Sequence, residues 1–156
     1  MQLTRAADYA VRVMITLAGM PPGSRSSRES LAEAAEVPAQ FLGKVLQSLT
    51  RSQLIVSHRG SRGGFSLGRP AAGISMLDVV ESIEGPIQLN VCLGPDDACG
   101  RRWFSSAHEV WLTAQAVLSG VLQSAKLDRL AADALQRKRF AEAAPPPIRA
   151  EEIAWS

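Results

Sequence analysis

The 156-residue chain has two cysteines, two histidines and no apolar run of membrane-spanning length. A transmembrane helix needs about 20 consecutive, mainly apolar residues, so no membrane partner is expected. The start of the chain also lacks the basic stretch, unbroken apolar core and cleavage site of a secretory signal, which makes a cytoplasmic location the expectation. In a reducing compartment two cysteines are thiols or metal ligands rather than a permanent disulfide. Also missing are internal repeats, a phosphate-binding glycine loop, a nucleophile elbow and catalytic carboxylates at a recognisable spacing. The chain is therefore not expected to be an enzyme; a cysteine acting with His108 would have no other motif in support.

The net charge of +2 is small, but it is unevenly placed. Residues 1–70 hold nine Lys or Arg against four Asp or Glu, and residues 71–156 hold eight against eleven. Clustered cations suit a phosphate-lined partner and an acidic remainder suits a protein partner, although chance segregation of solvated charges would look the same.

Residues 26–67 carry the strongest pattern. Ser26 and Glu29 have capping-box spacing ahead of a short helix from about Ser27 to Ala35, with Leu31, Ala34 and Ala35 on one face. Glu36-Val37-Pro38 is a turn, with Pro38 fitting the first position of a second helix. In that helix Leu42, Val45, Leu46 and Leu49 recur as one buried stripe. Its opposite face carries Ala39, Gln40, Gly43, Lys44, Gln47, Ser48 and Arg51, with no carboxylate. Leu54-Ile55-Val56 and Phe65-Ser66-Leu67 then flank a basic, glycine-rich tip of Arg59, Gly60, Arg62 and Gly63, as in a hairpin.

This order spells a winged helix-turn-helix, in which the second helix enters the DNA major groove and the wing reaches the minor groove. Ser27 and Arg28, at the start of the first helix of the pair, join the predicted DNA-contacting set. Taken singly, a glycine-arginine loop is also an ordinary exposed turn, and an amphipathic helix pair is common. Their order, spacing and charge together favour double-stranded DNA as a partner.

Ahead of this unit Thr4 can cap a helix from about Arg5 to Met20, with Ala6, Ala10, Val13, Met14 and Leu17 on one side. Asp8 and Arg12 lie four apart, the spacing of a weak surface ion pair. After the wing, Ser75 and Asp78 repeat the capping spacing before a short helix ending at Gly85. The expected fold is mainly α with a small β wing, a winged helix-turn-helix domain over 1–85 followed by a cysteine-containing sensor loop over 86–107. A dimerisation helix and C-terminal helix over 108–143 and a mobile tail over 144–156 complete it. In the long helix Val110, Trp111, Ala114, Val117, Leu118, Val121 and Leu122 form an apolar stripe. Pairing with a second copy would cover it and match a palindromic site; packing on the first helix is the competing expectation.

Cys92-x6-Cys99-x8-His108 places three possible ligands just before that helix. They suit zinc or an iron-sulfur cluster, but a closed site usually takes four protein ligands; reduced thiols and an unrelated histidine fit equally.

Residues 1–12 (MQLTRAADYAVR), 41–49 (FLGKVLQSL), 59–65 (RGSRGGF) and 74–80 (ISMLDVV) together resemble the iron-sulfur cluster regulator (IscR/NsrR-like) family of winged-helix bacterial transcriptional regulators. The likeness runs from residue 1 to about 130. It implies a homodimeric repressor whose long helices cross at the dimer interface and whose loop holds a 2Fe-2S or 4Fe-4S cluster sensing iron, redox state or nitric oxide. Cys92 and Cys99 match the first two of three family cysteines, Ser105 stands at the third, and His108 matches the family histidine. The nitric-oxide-sensing branch implies Asp8 as a fourth ligand supplied across the dimer. Imidazole in place of thiolate raises a cluster's potential without forbidding binding, whereas a serine hydroxyl is a poor substitute. The alternative is a cluster-free regulator of the same fold that responds to oxidation of its thiols, Cys99 lying beside Arg101 and Arg102, or to a small molecule.

Overall fold

A side-chain cap begins the first helix: the Thr4 hydroxyl accepts the Ala7 amide at 3.3 Å. In this computed structural model, which describes residues 3–60, 63–90, 93 and 105–143, α1 spans Arg5–Ala18. It stops two residues before the expected Met20, with Gly19 as its C-cap and Pro21, which offers no N–H, just beyond. Ala7, Ala10, Val13, Met14 and Leu17 are its buried face. Ala6, expected there, is only half-buried.

α2 spans Arg28–Ala34 and is capped one residue later than the sequence spacing predicts: the Ser27 hydroxyl accepts the Ser30 amide at 3.1 Å. Ser26 has another task. Its N–H donates to the Phe65 carbonyl at 3.0 Å and its carbonyl accepts the Phe65 N–H at 2.8 Å, so it is a one-residue bridge on the wing sheet. Competition from this backbone pairing fixes the cap at Ser27. Glu36, with φ of 52°, makes the left-handed turn into α3, which spans Ala39–Arg51. Pro38 sits just ahead of α3 rather than in its first position, and its carbonyl accepts the Phe41 amide at 2.9 Å.

Strands β1 (Ile55–His58) and β2 (Gly64–Leu67) form an antiparallel hairpin, with Ile55 opposite Leu67 and His58 opposite Gly64. A 3-10 turn at Ala71–Gly73 leads to α4 (Met76–Glu84). Its capping box is the expected one: Ser75 caps the Asp78 amide and the Asp78 carboxylate accepts the Ser75 N–H. α5 spans Ser106–Ser124 and α6 spans Leu127–Ala143.

One core joins these helices: Met14, Leu31, Leu42, Leu49, Ile55, Ile74, Val79 and Leu127 are all buried. Leu127 and Ala131 bring α6 onto it. Of the two C-terminal helices, α6 is thus the one that packs on α1, beside α4 and α3, whereas α5 packs beside α4. α5 and α6 are parted at Ala125, which is extended because Met76 donates to its carbonyl at 2.8 Å while Leu127 donates to the Ile74 carbonyl at 3.0 Å. Arg62, Cys92, Cys99 and the expected tail over 144–156 lie outside the described residues.

Candidate nucleic-acid interface

The buried stripe of α3 orients its opposite face. With Leu42, Val45, Leu46 and Leu49 in the core, Ala39, Gln40, Lys44, Gln47 and Arg51 are exposed, and Gly43 and Ser48 are half-buried. Arg28 reaches over from α2 and donates from Nη2 to the Ala39 carbonyl at 3.1 Å. Gly43 lies against this contact: a Cβ there would come within 3.0 Å of the same Nη2, so the Arg28 side chain would have to shift to admit one. Between α3 and the hairpin runs an open cleft of about 490 Å³ lined by Arg28, Gln47, Arg51, Ser57 and Phe65. Two guanidinium groups, an amide and a hydroxyl with no carboxylate make an anion-accepting surface.

The wing's glycines are structural as well as basic-tip spacers. Gly60 has φ of 101°, and a Cβ at Gly63 would lie 2.4 Å from the His58 carbonyl oxygen. Gly64, at φ of 137°, is hemmed in by the Ser26 carbonyl oxygen, 2.5 Å from where its Cβ would be. The close approach of Gly64 to Ser26 was missed in sequence, where Ser26 reads as a helix cap, because the pairing joins residues far apart in the chain. His58 was missed too: its Nε2 lies 2.9 Å from the Ser66 hydroxyl and braces the two strands diagonally. Arg59 projects exposed at the tip.

The predicted ligands are only partly within the described residues. Asp8 pairs with Arg12 at 2.9 Å, both side chains about half exposed (53% and 45%). His108 lies in the first turn of α5, and its buried Nδ1 has no hydrogen-bond partner among the described residues. Ser105 immediately precedes α5, and its hydroxyl makes no cap bond. Among the described residues no three His, Cys, Asp or Glu side chains gather closely enough to hold a metal ion.

On α5 the predicted stripe is uncovered: Val110, Val117 and Val121 are each more than 60% exposed, Trp111 and Ala114 are exposed, and Leu118 and Leu122 are half-buried. The end of α5 is tied to the winged unit by side chains. The Ser75 hydroxyl lies 2.7 Å from Asp78 Oδ2 and 3.2 Å from the Gln123 amide, and Arg69, just beyond β2, meets the same Asp78 oxygen at 3.2 Å. Burial alone would raise the Asp78 carboxyl, but hydrogen bonds from the Ser75 N–H and hydroxyl, then Arg69 and Lys126, outweigh it and hold its pKa below the ordinary 3.8.

A family model described as an iron-dependent transcriptional regulator, Rrf2, matches residues 3–133. The chain belongs to the Rrf2 family. It is 35% identical over 135 residues to an HTH-type transcriptional regulator of Mycobacterium tuberculosis (strain CDC 1551 / Oshkosh), covering 86% of this chain and 84% of that one. The fold is similar to CymR, the global cysteine regulator of B. subtilis, with a TM-score of 0.68 and 26% identity over 85% of this chain and 97% of that one. IscR of T. potens superposes with a TM-score of 0.67 and 25% identity, covering 93% of each chain. The protein is therefore a winged-helix, DNA-binding transcriptional regulator, as these Rrf2 relatives are, and not an enzyme. Among the described residues no helix is long and apolar enough to cross a membrane.

Proposed function

We propose that this Rrf2 regulator is a cytoplasmic homodimeric repressor that reads a palindromic operator with α3 and the wing. The observation that carries the proposal is the carboxylate-free face of α3 beside a cleft holding Arg28 and Arg51. Gln40, Lys44, Gln47 and Ser48 reach base edges, where amides and cations match adenine and guanine. Ser27, Arg28, Ala39, Gly43 and Arg51 meet the phosphates, and Arg59, with Gly60, Arg62 and Gly63, enters the minor groove. The exposed α5 stripe pairs with its copy in a partner subunit, which sets two α3 helices about one DNA turn apart. Selection from a pool of random duplexes tests this: an enriched inverted repeat is expected, and enrichment of a single unrepeated half-site would contradict the dimeric reading.

The signal enters through the segment of Cys92, Cys99 and His108. A buried imidazole nitrogen without a partner among the described residues fits a ligand position, and two thiolates with one imidazole are a set that iron-sulfur clusters accept. Asp8 would serve as the fourth donor only by leaving Arg12. A bound cluster would supply sensitivity to oxidants, nitric oxide and iron supply. The chain's own part is to carry a change in this segment along α5 to Gln123 and so to Ser75 and the wing. Ser105 favours a second reading, in which the two thiols respond to oxidation without metal; an oxidised form of the related S. aureus CymR has been crystallised. The visible spectrum with iron and sulfide analysis of protein purified without oxygen separates the two. Colour with stoichiometric iron supports the cluster, and colourless protein that resists reconstitution supports the thiol pair.

A further inference from the structure

An open groove of about 390 Å³, along which Thr4, Gln40, Phe41, Lys44 and Glu84 are exposed, lies where the start of α1, the end of α4 and the outer side of α3 meet. Its size is within the range of small-ligand sites, roughly 300–1,000 Å³, and its lining has their usual make-up of apolar walls with a few polar groups. Phe41, Val45, Ile83 and Ala6 supply the walls, and Lys44 and Glu84 supply opposite charges. Those charges are not satisfied by each other. The ion pairs among the described residues are Arg12 with Asp8 and Arg69 with Asp78, so Lys44 and Glu84 face one groove without closing across it. Glu84 is also held in place: its Oε1 accepts the Thr4 N–H at 3.0 Å and the Thr4 hydroxyl at 2.6 Å, which leaves Oε2 for another donor.

We propose that this groove is an effector site for a small zwitterion, an α-amino acid with an apolar side chain. The ligand's ammonium meets Glu84, its carboxylate meets Lys44 with the Gln40 amide beside it, and its side chain lies against Phe41 and Ile83. Neither a simple amine nor a simple carboxylate satisfies both charges. Because Gln40, Lys44 and Ser48 line this site and also belong to the proposed DNA-reading face, an occupied site neutralises Lys44 and draws Gln40 from the DNA groove. The ligand then acts as an inducer. This last step rests on the DNA-reading face assigned above; the binding itself does not.

Titration calorimetry of the full chain, without DNA, against each of the twenty L-amino acids tests the site. Two variants locate it. Glu84→Gln keeps an oxygen for Thr4 and removes the charge, and Ala6→Leu fills the space from α1 without changing any residue of α3. The expected result is one ligand per chain for at least one apolar amino acid, weakened about tenfold or more in each variant, with its amide and its N-acetyl derivative also weak. No saturable binding up to about 10 mM for any of the twenty, in protein that still binds its operator, overturns the proposal. Binding unchanged in both variants overturns it as well. Operator affinity unaffected at saturating ligand overturns the inducer role alone, and loss of operator binding in ligand-free protein would instead count against the DNA-reading face.

Discussion

Two serines cap helices here with the same 3.1 Å hydrogen bond, Ser27 to Ser30 and Ser75 to Asp78, yet their removal should cost very different amounts. Ser27 is partly open to water, which can replace it; Ser75 is fully buried. The Ser75 hydroxyl has one proton. An ionised Asp78 can only accept, so the hydroxyl donates to Asp78 Oδ2 at 2.7 Å, with Gln123 Oε1 a second, longer acceptor at 3.2 Å. Ser75→Ala therefore loses the cap, about 1 kcal/mol, and also the hydroxyl's bond to the partly buried Asp78 carboxylate, a further 1–2 kcal/mol or so. Ser27→Ala loses about 1 kcal/mol or less. Urea unfolding of both variants beside the parent measures the difference. Unfolding free energies that agree to within about 0.5 kcal/mol would refute the claim that burial turns this cap into a joint.

Other consequences follow from the same geometry. Because the Asp78 carboxyl is held below 3.8 in the folded chain, its ionised form contributes stability above that pH and loses it as pH falls through the lower folded value. The stability gap between the parent and Asp78→Asn should be full near pH 6 and shrink below about pH 4, and a gap that is flat with pH would refute this. Gly64→Ala forces a Cβ to within 2.5 Å of the Ser26 carbonyl oxygen at a positive φ, so it should cost about 2 kcal/mol or more, whereas Gly60→Ala, with open space around it, should cost about 1. Thermal unfolding that ranks them the other way would count against the wing-root packing. Val117→Glu with Val121→Glu puts two charges on the exposed α5 stripe and should give a monomer by light scattering at about 10 µM; a persistent dimer would place the interface elsewhere.

The winged helix-turn-helix was legible because its signals are local. The α3 stripe from Leu42 to Leu49, the Ser75-x-x-Asp78 box and the glycine-rich tip each declare their element within a few residues. Where the expectation slipped, a distant partner decided. Ser26 has every local reason to cap α2 and is taken instead by Phe65, 39 positions on. Leu127 and Ala131 continue the helical pattern of α5 in sequence, but Ser75 interrupts it through Lys126, and α6 turns back onto α1. Local periodicity cannot show which of two apolar stripes a core will absorb. The exposed residues of α3 were visible in sequence; the cleft that sets Arg28 and Arg51 beside the wing was not, because it depends on how α2 and β1 meet α3.

The most direct test of the DNA-reading face is fluorescence anisotropy on the selected operator, in matched salt, for Arg59→Ala, Arg51→Ala and Arg137→Ala. The proposed contacts predict about tenfold or greater loss for Arg59→Ala, a salt dependence shallower by about 0.9 for Arg51→Ala, and parental binding for Arg137→Ala on α6. Equal affinities and equal salt slopes for all three would contradict the assignment of α3 and the wing to DNA.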